Sequence, residues 1–337
     1  MNVASPLELI LGDVFLSIRG IAPDLIVHLK AEGLNMAGSI KLKPAIHMVE
    51  DLELEGVLGP GRGVIESSSG NLGVALSLVC AIKGYPFVCI SDPNISPQNQ
   101  RLIEAYGGQV IIVQKRDENG GFLNSRISLI KRMVAADPAL VWVNQYANPA
   151  NKAAHERWTA PEILHAFPEL DVLFVGAGTT GTLMGCAQYI RRAAPEVRVV
   201  AVDTEGSVTF GFPPGKRYIP GLGTSRTPEI ADPRAVDDIV MVPESETIAM
   251  CRWLVRDQGW LVGGSTGTVL AGIRRWSRHL RPDSTVVAIS PDFGERYVDM
   301  IYNDEWVAAR FPALHGGVSS PSLPVQQPGL ADLPVPG

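Results

Sequence analysis

The stretch GVIESSSGNLGVALSLVCAIKGYPFVCIS (63–91) decides the fold class. Residues 63–69 predict a strand that runs into a serine-rich turn, 71–84 predict a helix, and 86–91 predict a second strand. Both strands are apolar on both faces, which is typical of a parallel sheet that helices cover on each side. The stretch therefore predicts one strand–helix–strand unit of an α/β protein.

The same alternation continues after residue 91 and restarts near residue 171. Further helices are predicted at 96–107, 122–136, 182–194 and 245–259, and further strands at 109–114, 140–146, 171–178, 197–203, 238–243 and 285–291. Two such series predict an α/β fold with two doubly wound domains and a cleft between them.

The break between the two series is expected near NPANKAAH (148–155). We predict a smaller, mobile N-terminal domain at 35–150 and a C-terminal domain formed by 13–34 and 151–312. The remaining residues, 313–337, are rich in Pro, Gly and Ser and predict a disordered tail.

Composition excludes several classes of function. With 337 residues and a formal net charge of -6, the chain is not expected to form the basic surface that nucleic acids require. Its longest apolar runs, such as 72–82, are too short to cross a bilayer, and the N-terminus does not resemble a secretory signal. The four cysteines are scattered, which indicates reduced thiols and a cytoplasmic location, and the six histidines show no metal-binding spacing.

A glycine- and threonine-rich loop connects a predicted strand to a predicted helix at FVGAGTTGTLMG (174–185). Free N–H groups at a helix N-terminus favour an anion, glycines allow close approach of a phosphate, and threonine hydroxyls add donors. The loop lacks the lysine of a Walker motif. Asp203 lies near the position of the acidic residue in a dinucleotide-binding motif, and a tight turn without a ligand is a further alternative.

Two more polar loops precede predicted helices. In ESSSGNLG (66–73), Ser68, Ser69 and Asn71 could bind an oxygen anion or simply cap the helix. In VGGSTGTVLAG (262–272), Ser265 and Thr266 stand at the helix start. Three such loops at strand ends point to a common cleft, where Lys41 could be either a nucleophilic amine or a solvated charge.

Five motifs occur in an order that resembles a known family: NMAGSIKLKPA (35–45), SSSGNLG (67–73), NQYANPAN (144–151), GAGTTGT (176–182) and GGSTG (263–267). Over about residues 5–310 the chain resembles the fold type II pyridoxal-phosphate enzymes, the cysteine synthase and cystathionine β-synthase family. Some residues depart from the family motifs: Met36 and Ala37 replace Pro-Gly, Leu42 and Lys43 replace Asp-Arg, and Thr180 replaces a glycine.

The resemblance implies pyridoxal 5'-phosphate as cofactor in the cleft and a role for each matching residue. Lys41 would bind the cofactor covalently and act as the catalytic base, Asn71 would bind its phenolic oxygen, and Ser265 would face its pyridine nitrogen. Its phosphate would be held by Gly178, Thr179, Thr180, Gly181 and Thr182. The substrate carboxylate would be held by Ser68, Ser69, Leu72 and Gln145, and acidic substrate groups by Arg126 and Tyr146, with Arg217 and Arg226 as further candidates.

A serine facing the pyridine nitrogen favours loss of a β-leaving group over racemisation or transamination, so the resemblance implies β-replacement. The segments 217–230, 259–273 and 288–307 resemble a branch that joins O-phospho-L-serine to L-glutamate, releases phosphate, and supplies 2,3-diaminopropionate for siderophore or peptide-antibiotic pathways. A cysteine synthase that uses O-acetylserine and sulfide is the alternative, and a non-catalytic binding or regulatory protein is a second one. The family also implies a homodimer that acts on small amino acids.

Overall fold

The computed structural model describes residues 3–118 and 121–314. Its strands are Phe15–Arg19 (β1), Ile26–Ala31 (β2), Gly63–Ser67 (β3), Phe87–Ser91 (β4), Gln109–Ile112 (β5), Leu140–Trp142 (β6), Val172–Gly176 (β7), Arg198–Thr204 (β8), Asp238–Val242 (β9) and Val286–Ser290 (β10). Its α-helices are Leu42–Leu54 (α1), Asn71–Lys83 (α2), Pro97–Ala105 (α3), Leu123–Ala136 (α4), Ala150–Ala154 (α5), Ala160–Ala166 (α6), Gly181–Ala193 (α7), Glu244–Gln258 (α8), Gly264–Trp276 (α9) and Asp304–Arg310 (α10).

These strands form two sheets. The first has the order β5-β4-β3-β6, is parallel throughout, and contains the strand–helix–strand unit predicted from 63–91. The second has the order β1-β2-β10-β7-β8-β9 and is parallel except for β1, which pairs antiparallel with β2. The predicted α/β class with parallel sheets is confirmed. Strands β3 and β10 are buried along their whole length, which explains the apolar runs with which they begin, although Glu66, Ser67 and Ser290 at their carboxyl ends are polar.

Three details differ from the sequence expectations. Strands β1 and β2 were not predicted individually, although their residues were placed with the C-terminal half. Strand β6 ends at Trp142 rather than 146, because Asn144 turns the chain with a φ of +54°. Residues 313–314 belong to a short 3-10 turn, Pro312–Leu314, and the rest of the predicted tail, 315–337, lies outside the described residues.

Residues from both sheets meet at the carboxyl ends of their strands. The loop before α1 reaches the end of β10 through an isolated bridge between Ser39 and Asp292. The loop before α9 reaches the same segment through a bridge between Val262 and Phe293. Ligand sites of parallel α/β sheets lie at this edge, so the polar loops are gathered where a cofactor would be expected.

All four cysteines are free and buried, and burial raises the pKa of each thiol to about 12. Within residues 3–118 and 121–314, no helix is long and apolar enough to cross a membrane. The same residues contain no group of three or more His, Cys, Asp or Glu side chains arranged to hold a metal ion.

Candidate active site

Lys41 ends a short loop and immediately precedes α1. The Asn35 side chain organises this loop, because its amide donates to the backbone oxygens of Glu32 and Ser39, both at 2.9 Å. Gly38 has a φ of +67°, a left-handed conformation that glycine adopts without strain. The segment around Lys41 therefore has a defined shape that its sequence did not reveal.

The loop also places Lys41 between the two sheets. Ile40 N–H donates to the carbonyl oxygen of Pro291 at 2.7 Å, directly after β10. Burial lowers the pKa of the Lys41 amine from 10.5 to about 8, although the charge of Asp292 acts in the opposite direction. Lys41 is thus a better nucleophile near neutral pH than a surface lysine would be.

The glycine loop between β7 and α7 is closely packed. A Cβ on Gly178 would lie 2.8 Å from the carbonyl oxygen of Gly221, and one on Gly181 would lie 2.2 Å from Asn151 Oδ1. The loop leads into α7, a helix of 13 residues, whose first N–H groups and dipole favour an anion. Only glycine fits at both positions, and the resulting cradle suits a phosphate group.

Thr180 is the strained residue of this cradle. Its φ of +67° is rarely adopted by a β-branched side chain. Its hydroxyl is buried and has no hydrogen-bond partner in the described part of the chain. A buried hydroxyl without a partner, in a strained loop, is a candidate for ligand binding.

Two neighbouring side chains that the sequence analysis missed hold the other threonines of the cradle. Asn151 donates to Thr179 Oγ1 at 3.3 Å and to the carbonyl oxygen of Gln145 at 2.7 Å. His155 Nε2 lies 3.2 Å from Thr182 Oγ1. Asn151 ends the quoted motif 144–151, so its position was visible, but its contact with the phosphate loop was not.

Asn71 is the first residue of α2 and is tied to the segment after β10. Its amide nitrogen donates to Asp292 Oδ2 at 2.6 Å, and its oxygen accepts a hydrogen bond from Arg296. Tyr297 also donates to Asp292 Oδ2 at 2.6 Å, and Arg296 donates to the backbone oxygen of Ala37 at 2.7 Å. This cluster joins the Lys41 loop, the Asn71 turn and the second sheet.

The turn before α2 supports the capping interpretation of Ser68. Its hydroxyl accepts hydrogen bonds from the N–H groups of Gly70, at 3.2 Å, and Gly73, at 3.0 Å. Ser69 lies on the same turn, and Leu72 is in the first turn of the helix, where backbone N–H groups lack intrahelical partners. The turn therefore offers backbone donors, with Ser68 holding their geometry.

Gln145 lies beside this turn, at the carboxyl end of β3. Its backbone N–H donates to Glu66 Oε2 at 3.2 Å, and its side-chain nitrogen donates to the carbonyl oxygen of Ser67 at 3.0 Å. Burial raises the pKa of Glu66 to about 7, although N–H donors from Ser67 and Gln145 act against this. Gln145 is thus fixed close to Ser68 and Ser69.

Arg126 is buried on α4 and lies 3.3 Å from Asp92 Oδ2. Its Nε atom has no hydrogen-bond partner among the described residues. Burial raises the pKa of the Tyr146 hydroxyl, and the charges of Arg126, Glu66 and Asp92 all act on it. Arg126 and Tyr146, which the sequence analysis placed together, therefore share one partly charged and desolvated region.

Ser265 lies in the first turn of α9 and is buried. A Cβ on Gly221 would lie 2.5 Å from its hydroxyl oxygen, so the backbone of the 206–224 loop covers it closely. Gly221 also has a φ of +115°. Because the backbone of Gly221 also approaches Gly178, only one backbone segment separates the neutral hydroxyl of Ser265 from the phosphate cradle.

Arg217 and Arg226 have other partners. Arg217 donates to the backbone oxygens of Gly206 and Thr224, the latter at 3.2 Å, and therefore holds its own loop together. Arg226 is exposed and paired with Glu229. Asp203, the acidic residue of the dinucleotide alternative, accepts a hydrogen bond from Thr204 N–H at 2.8 Å and is fully buried.

A cavity of about 470 Å³ opens beside the Lys41 loop. Its lining includes Asn35, Met36 and Gly38 from that loop, with Gln98 from α3 and Arg296 from the segment after β10. Its volume lies within the range of small-molecule sites. Met36, one of the departures from the family motif, thus lines an opening next to the candidate site.

The other three departures next to Lys41 are also explained. Ala37 is buried and its carbonyl oxygen accepts the Arg296 hydrogen bond. Leu42 is fully buried in the core of the first sheet. Lys43 is 1% exposed and forms ion pairs with Glu32 at 2.9 Å and with Glu162 at 2.6 Å.

The chain belongs to the pyridoxal-phosphate-dependent enzyme family, whose sequence profile matches residues 15–292. The predicted resemblance and the predicted cofactor, pyridoxal phosphate, are thereby confirmed at the level of the family.

Two curated relatives cover most of the chain. N-(2-amino-2-carboxyethyl)-L-glutamate synthase of Ralstonia nicotianae is 43% identical over 303 residues, which are 89% of this chain and 90% of that protein. The protein of the same name from Cupriavidus metallidurans is 41% identical over 290 residues, 85% of each chain. Among solved structures, O-ureido-L-serine synthase is 32% identical with a TM-score of 0.82 and covers 91% of this chain and 100% of its own.

Proposed function

We propose that this protein catalyses a β-replacement in which L-glutamate displaces phosphate from O-phospho-L-serine, forming N-(2-amino-2-carboxyethyl)-L-glutamate. The observation that carries the proposal is the buried Arg126, whose unpartnered Nε lies in the same desolvated region as Tyr146. Asp92 already pairs with one end of the guanidinium, but the buried Nε–H is left without an acceptor, which costs free energy until a ligand supplies one, and both substrates are acidic. The names of the two curated relatives support the same reaction.

The residues of the cleft fit the cofactor. Gly178, Thr179, Thr180, Gly181 and Thr182 would hold its phosphate, since the cradle excludes side chains at both glycines and leaves the Thr180 hydroxyl without a partner. Asn71 and Ser265 would contact its ring as neutral donors, and Lys41 would bind it covalently. Bound pyridoxal phosphate supplies an electron sink that makes the Cα proton of an amino acid acidic.

Lys41 would then act as the general base that removes this proton and as the acid that returns one to Cα. Its lowered pKa allows both protonation states near neutral pH. Ser265 offers a hydroxyl rather than a carboxylate, so it stabilises no positive charge on the pyridine nitrogen, and this favours β-elimination over transamination.

The substrate groups would be recognised by two different parts of the site. The α-carboxylate of phosphoserine would be held by backbone donors of the α2 turn and by the side chains of Ser68, Ser69 and Gln145, with Leu72 contributing its N–H. The acidic side chain of glutamate would meet Arg126 and Tyr146, where a charge-assisted hydrogen bond to the free guanidinium Nε is available.

The test is to supply the purified holoenzyme with phosphoserine and glutamate. We expect phosphate release together with an adduct of the mass of N-(2-amino-2-carboxyethyl)-L-glutamate. Activity with O-acetylserine and sulfide only would show a cysteine synthase instead. A protein that never forms a Lys41-dependent cofactor absorption band would be a non-catalytic member of the fold.

We also propose a cytoplasmic homodimer that serves secondary metabolism through 2,3-diaminopropionate. The four free, buried thiols are consistent with a reducing compartment. Light scattering after size-exclusion chromatography measures the oligomeric state, and a monomeric mass would contradict the dimer. The division into a mobile domain at 35–150 and a second domain at 13–34 and 151–312 remains a proposal, which comparison of free and substrate-bound scattering profiles would test.

A further inference from the structure

A buried ionic cluster lies two residues from Lys41. Lys43 and Lys30 are each 1% exposed, and Glu32 is 3% exposed. Lys43 contacts both Glu32 and Glu162, and Lys30 contacts Glu162 at 2.9 Å. Charged groups are almost never fully buried without such partners, so the cluster holds the ammonium of Lys43 in one place.

A π-helical turn, His155–Thr159, lies between α5 and α6 and faces this cluster. Turns of this kind are rare and often occur at functional sites. His155 and Thr159 are both fully buried, and His155 Nδ1 lies 3.0 Å from Thr159 Oγ1. Lys43 Nζ reaches the same hydroxyl oxygen at 3.5 Å, the long end of the hydrogen-bond range.

The other ring nitrogen of His155 continues the path to the phosphate cradle, because Nε2 lies 3.2 Å from Thr182 Oγ1. Helix α7 approaches the π turn so closely that a Cβ on Gly185 would lie 2.8 Å from the Cβ of His155. Four side chains thus form an unbroken path: Lys43, Thr159, His155 and Thr182.

The direction of the hydrogen bonds along the path depends on the tautomer of His155. An ammonium group can only donate, so Thr159 accepts from Lys43, and its own hydroxyl proton is available to His155 Nδ1. Burial holds the pKa of His155 well below its usual value, helped by the charges of Lys41 and Lys43, so the ring is neutral. A neutral ring whose Nδ1 accepts from Thr159 carries its proton on Nε2. That proton goes to Thr182 Oγ1, which leaves the Thr182 hydroxyl proton free for an anionic acceptor.

We propose that the path from Lys43 through Thr159 and His155 to Thr182 orients the Thr182 hydroxyl as a donor to the cofactor phosphate and couples the phosphate cradle to the segment that carries Lys41. His155, Thr159 and Lys43 are therefore positioning residues. The inference rests on the proposed cofactor site but makes a separate claim about how the Thr182 hydroxyl and the Lys41 segment are kept in position relative to each other.

The central test is Thr159→Val, which keeps the shape of the side chain and removes the hydroxyl. We expect the dissociation constant of pyridoxal phosphate for the apoenzyme to rise about 3- to 30-fold, the size usual for coupled groups. The ³¹P resonance of the bound phosphate should also move. Thr159→Ser should restore both values, and Thr159→Cys, a weaker donor, should give an intermediate dissociation constant if the valine variant does not fold.

A matched control is Thr247→Val. Thr247 and Thr268 are buried on α8 and α9 and form a hydroxyl pair at 2.8 Å, so the same substitution breaks a similar contact elsewhere. It should lower the melting temperature of the apoenzyme without changing the ³¹P resonance. If Thr159→Val behaves in the same way, the proposal is overturned and Thr159 is only structural.

Variants of His155 test whether residue 155 donates a hydrogen bond to Thr182. The amide nitrogen of His155→Gln can still donate to Thr182, whereas His155→Phe cannot, so only the phenylalanine variant should lose most of the cofactor affinity. Combining His155→Phe with Thr159→Val should weaken binding no further than His155→Phe alone, and fully additive losses would contradict a single path. If Lys41→Ala loses the covalent link to the cofactor, the proposed cofactor site is supported. If the variants at Thr159 and His155 nevertheless keep the wild-type cofactor affinity, the proposed path is refuted although the cofactor site is not.

Discussion

Lys41 combines a defined loop with a lowered pKa, and this predicts how cofactor uptake depends on pH. Only the neutral amine attacks an aldehyde, and with a pKa of about 8 roughly a quarter of Lys41 is neutral at about pH 7.5. The rate of uptake by the apoenzyme, followed by absorbance, should therefore rise with a midpoint near pH 8. Asp292 raises this pKa, so Asp292→Asn should move the midpoint downward. A midpoint near 10.5, the ordinary lysine value, would contradict the burial of the amine.

Replacing Thr180 is expected to have opposite effects on the stability of the protein and on its affinity for the cofactor. Replacing it with glycine removes the strain of its positive φ, so Thr180→Gly should raise the free energy of unfolding of the apoenzyme by about 1 kcal/mol. The same change removes a buried hydroxyl that has no protein partner, so cofactor affinity should fall about 10-fold. Denaturant titration and binding measurements check the two parts. Thr180→Ser should keep the affinity without the gain in stability, and undiminished affinity in the glycine variant would remove Thr180 from the phosphate site.

Arg126 predicts a selective loss for the second substrate. Arg126→Met keeps much of the buried stem but removes the guanidinium, so the KM for glutamate should rise about 10- to 100-fold, as expected for a lost charge-assisted hydrogen bond. Steady-state kinetics with each substrate varied in turn measures this, and the KM for phosphoserine should change much less. Arg252→Met, which removes another buried arginine paired with an aspartate, Asp304, is the matched control. Equal losses for both substrates would contradict the proposed role.

At the level of single residues, the order of the motifs was enough to place Lys41 in a loop and Asn71 and Ser265 at the starts of helices. Their partners could not be predicted. Asn71 contacts Asp292, which is 221 positions away in the chain, and neither residue alone indicates the contact. Lys43 looked like an unexplained departure from the family motif. The carboxylates that pair with it, Glu32 and Glu162, lie directly after β2 and in α6, so the sequence around Lys43 does not indicate them.

The packing of α7 against α5 and the π turn makes a prediction at the level of elements. Glycine-to-alanine changes within helices usually stabilise, by about 1 kcal/mol. Gly185→Ala should instead destabilise by about 2 kcal/mol, because its Cβ would lie 2.2 Å from the Lys152 carbonyl oxygen and the backbone must move. Urea denaturation measures the difference. Gly59→Ala, where nothing lies within 4 Å of the added Cβ, should change stability by less than about 0.5 kcal/mol.

The alternation of apolar strands and helices was predictable for most elements, since buried parallel strands carry a strong apolar signal. The π turn was not predictable, because such turns are rare, occur as single turns beside α-helices, and carry no residue pattern of their own. The edge strand β1 was not predicted for a different reason. Only one of its five residues is buried, so FLSIR lacks the continuous apolar character of the central strands.

Arg296 connects the two sheets and predicts an effect on the whole molecule. It donates to the backbone oxygen of Ala37 at 2.7 Å and to the Asn71 side chain. Arg296→Met should increase the rate of amide hydrogen exchange in 35–45 about 10-fold, since a lost hydrogen bond to a charged group makes local opening easier. Arg234→Met, whose exposed partner Asp232 is two positions away, is the control. Unchanged exchange would show that other contacts hold the loop.

The buried thiols have a practical consequence. With a pKa of about 12 and no exposure, Cys80, Cys89, Cys186 and Cys251 should not react with maleimides while the protein is folded. A single cysteine introduced at Leu54, which is 87% exposed, would therefore take up a fluorescent dye alone. Dyes attached to introduced cysteines could therefore be used to measure distances between the two sheets, without first removing the native cysteines.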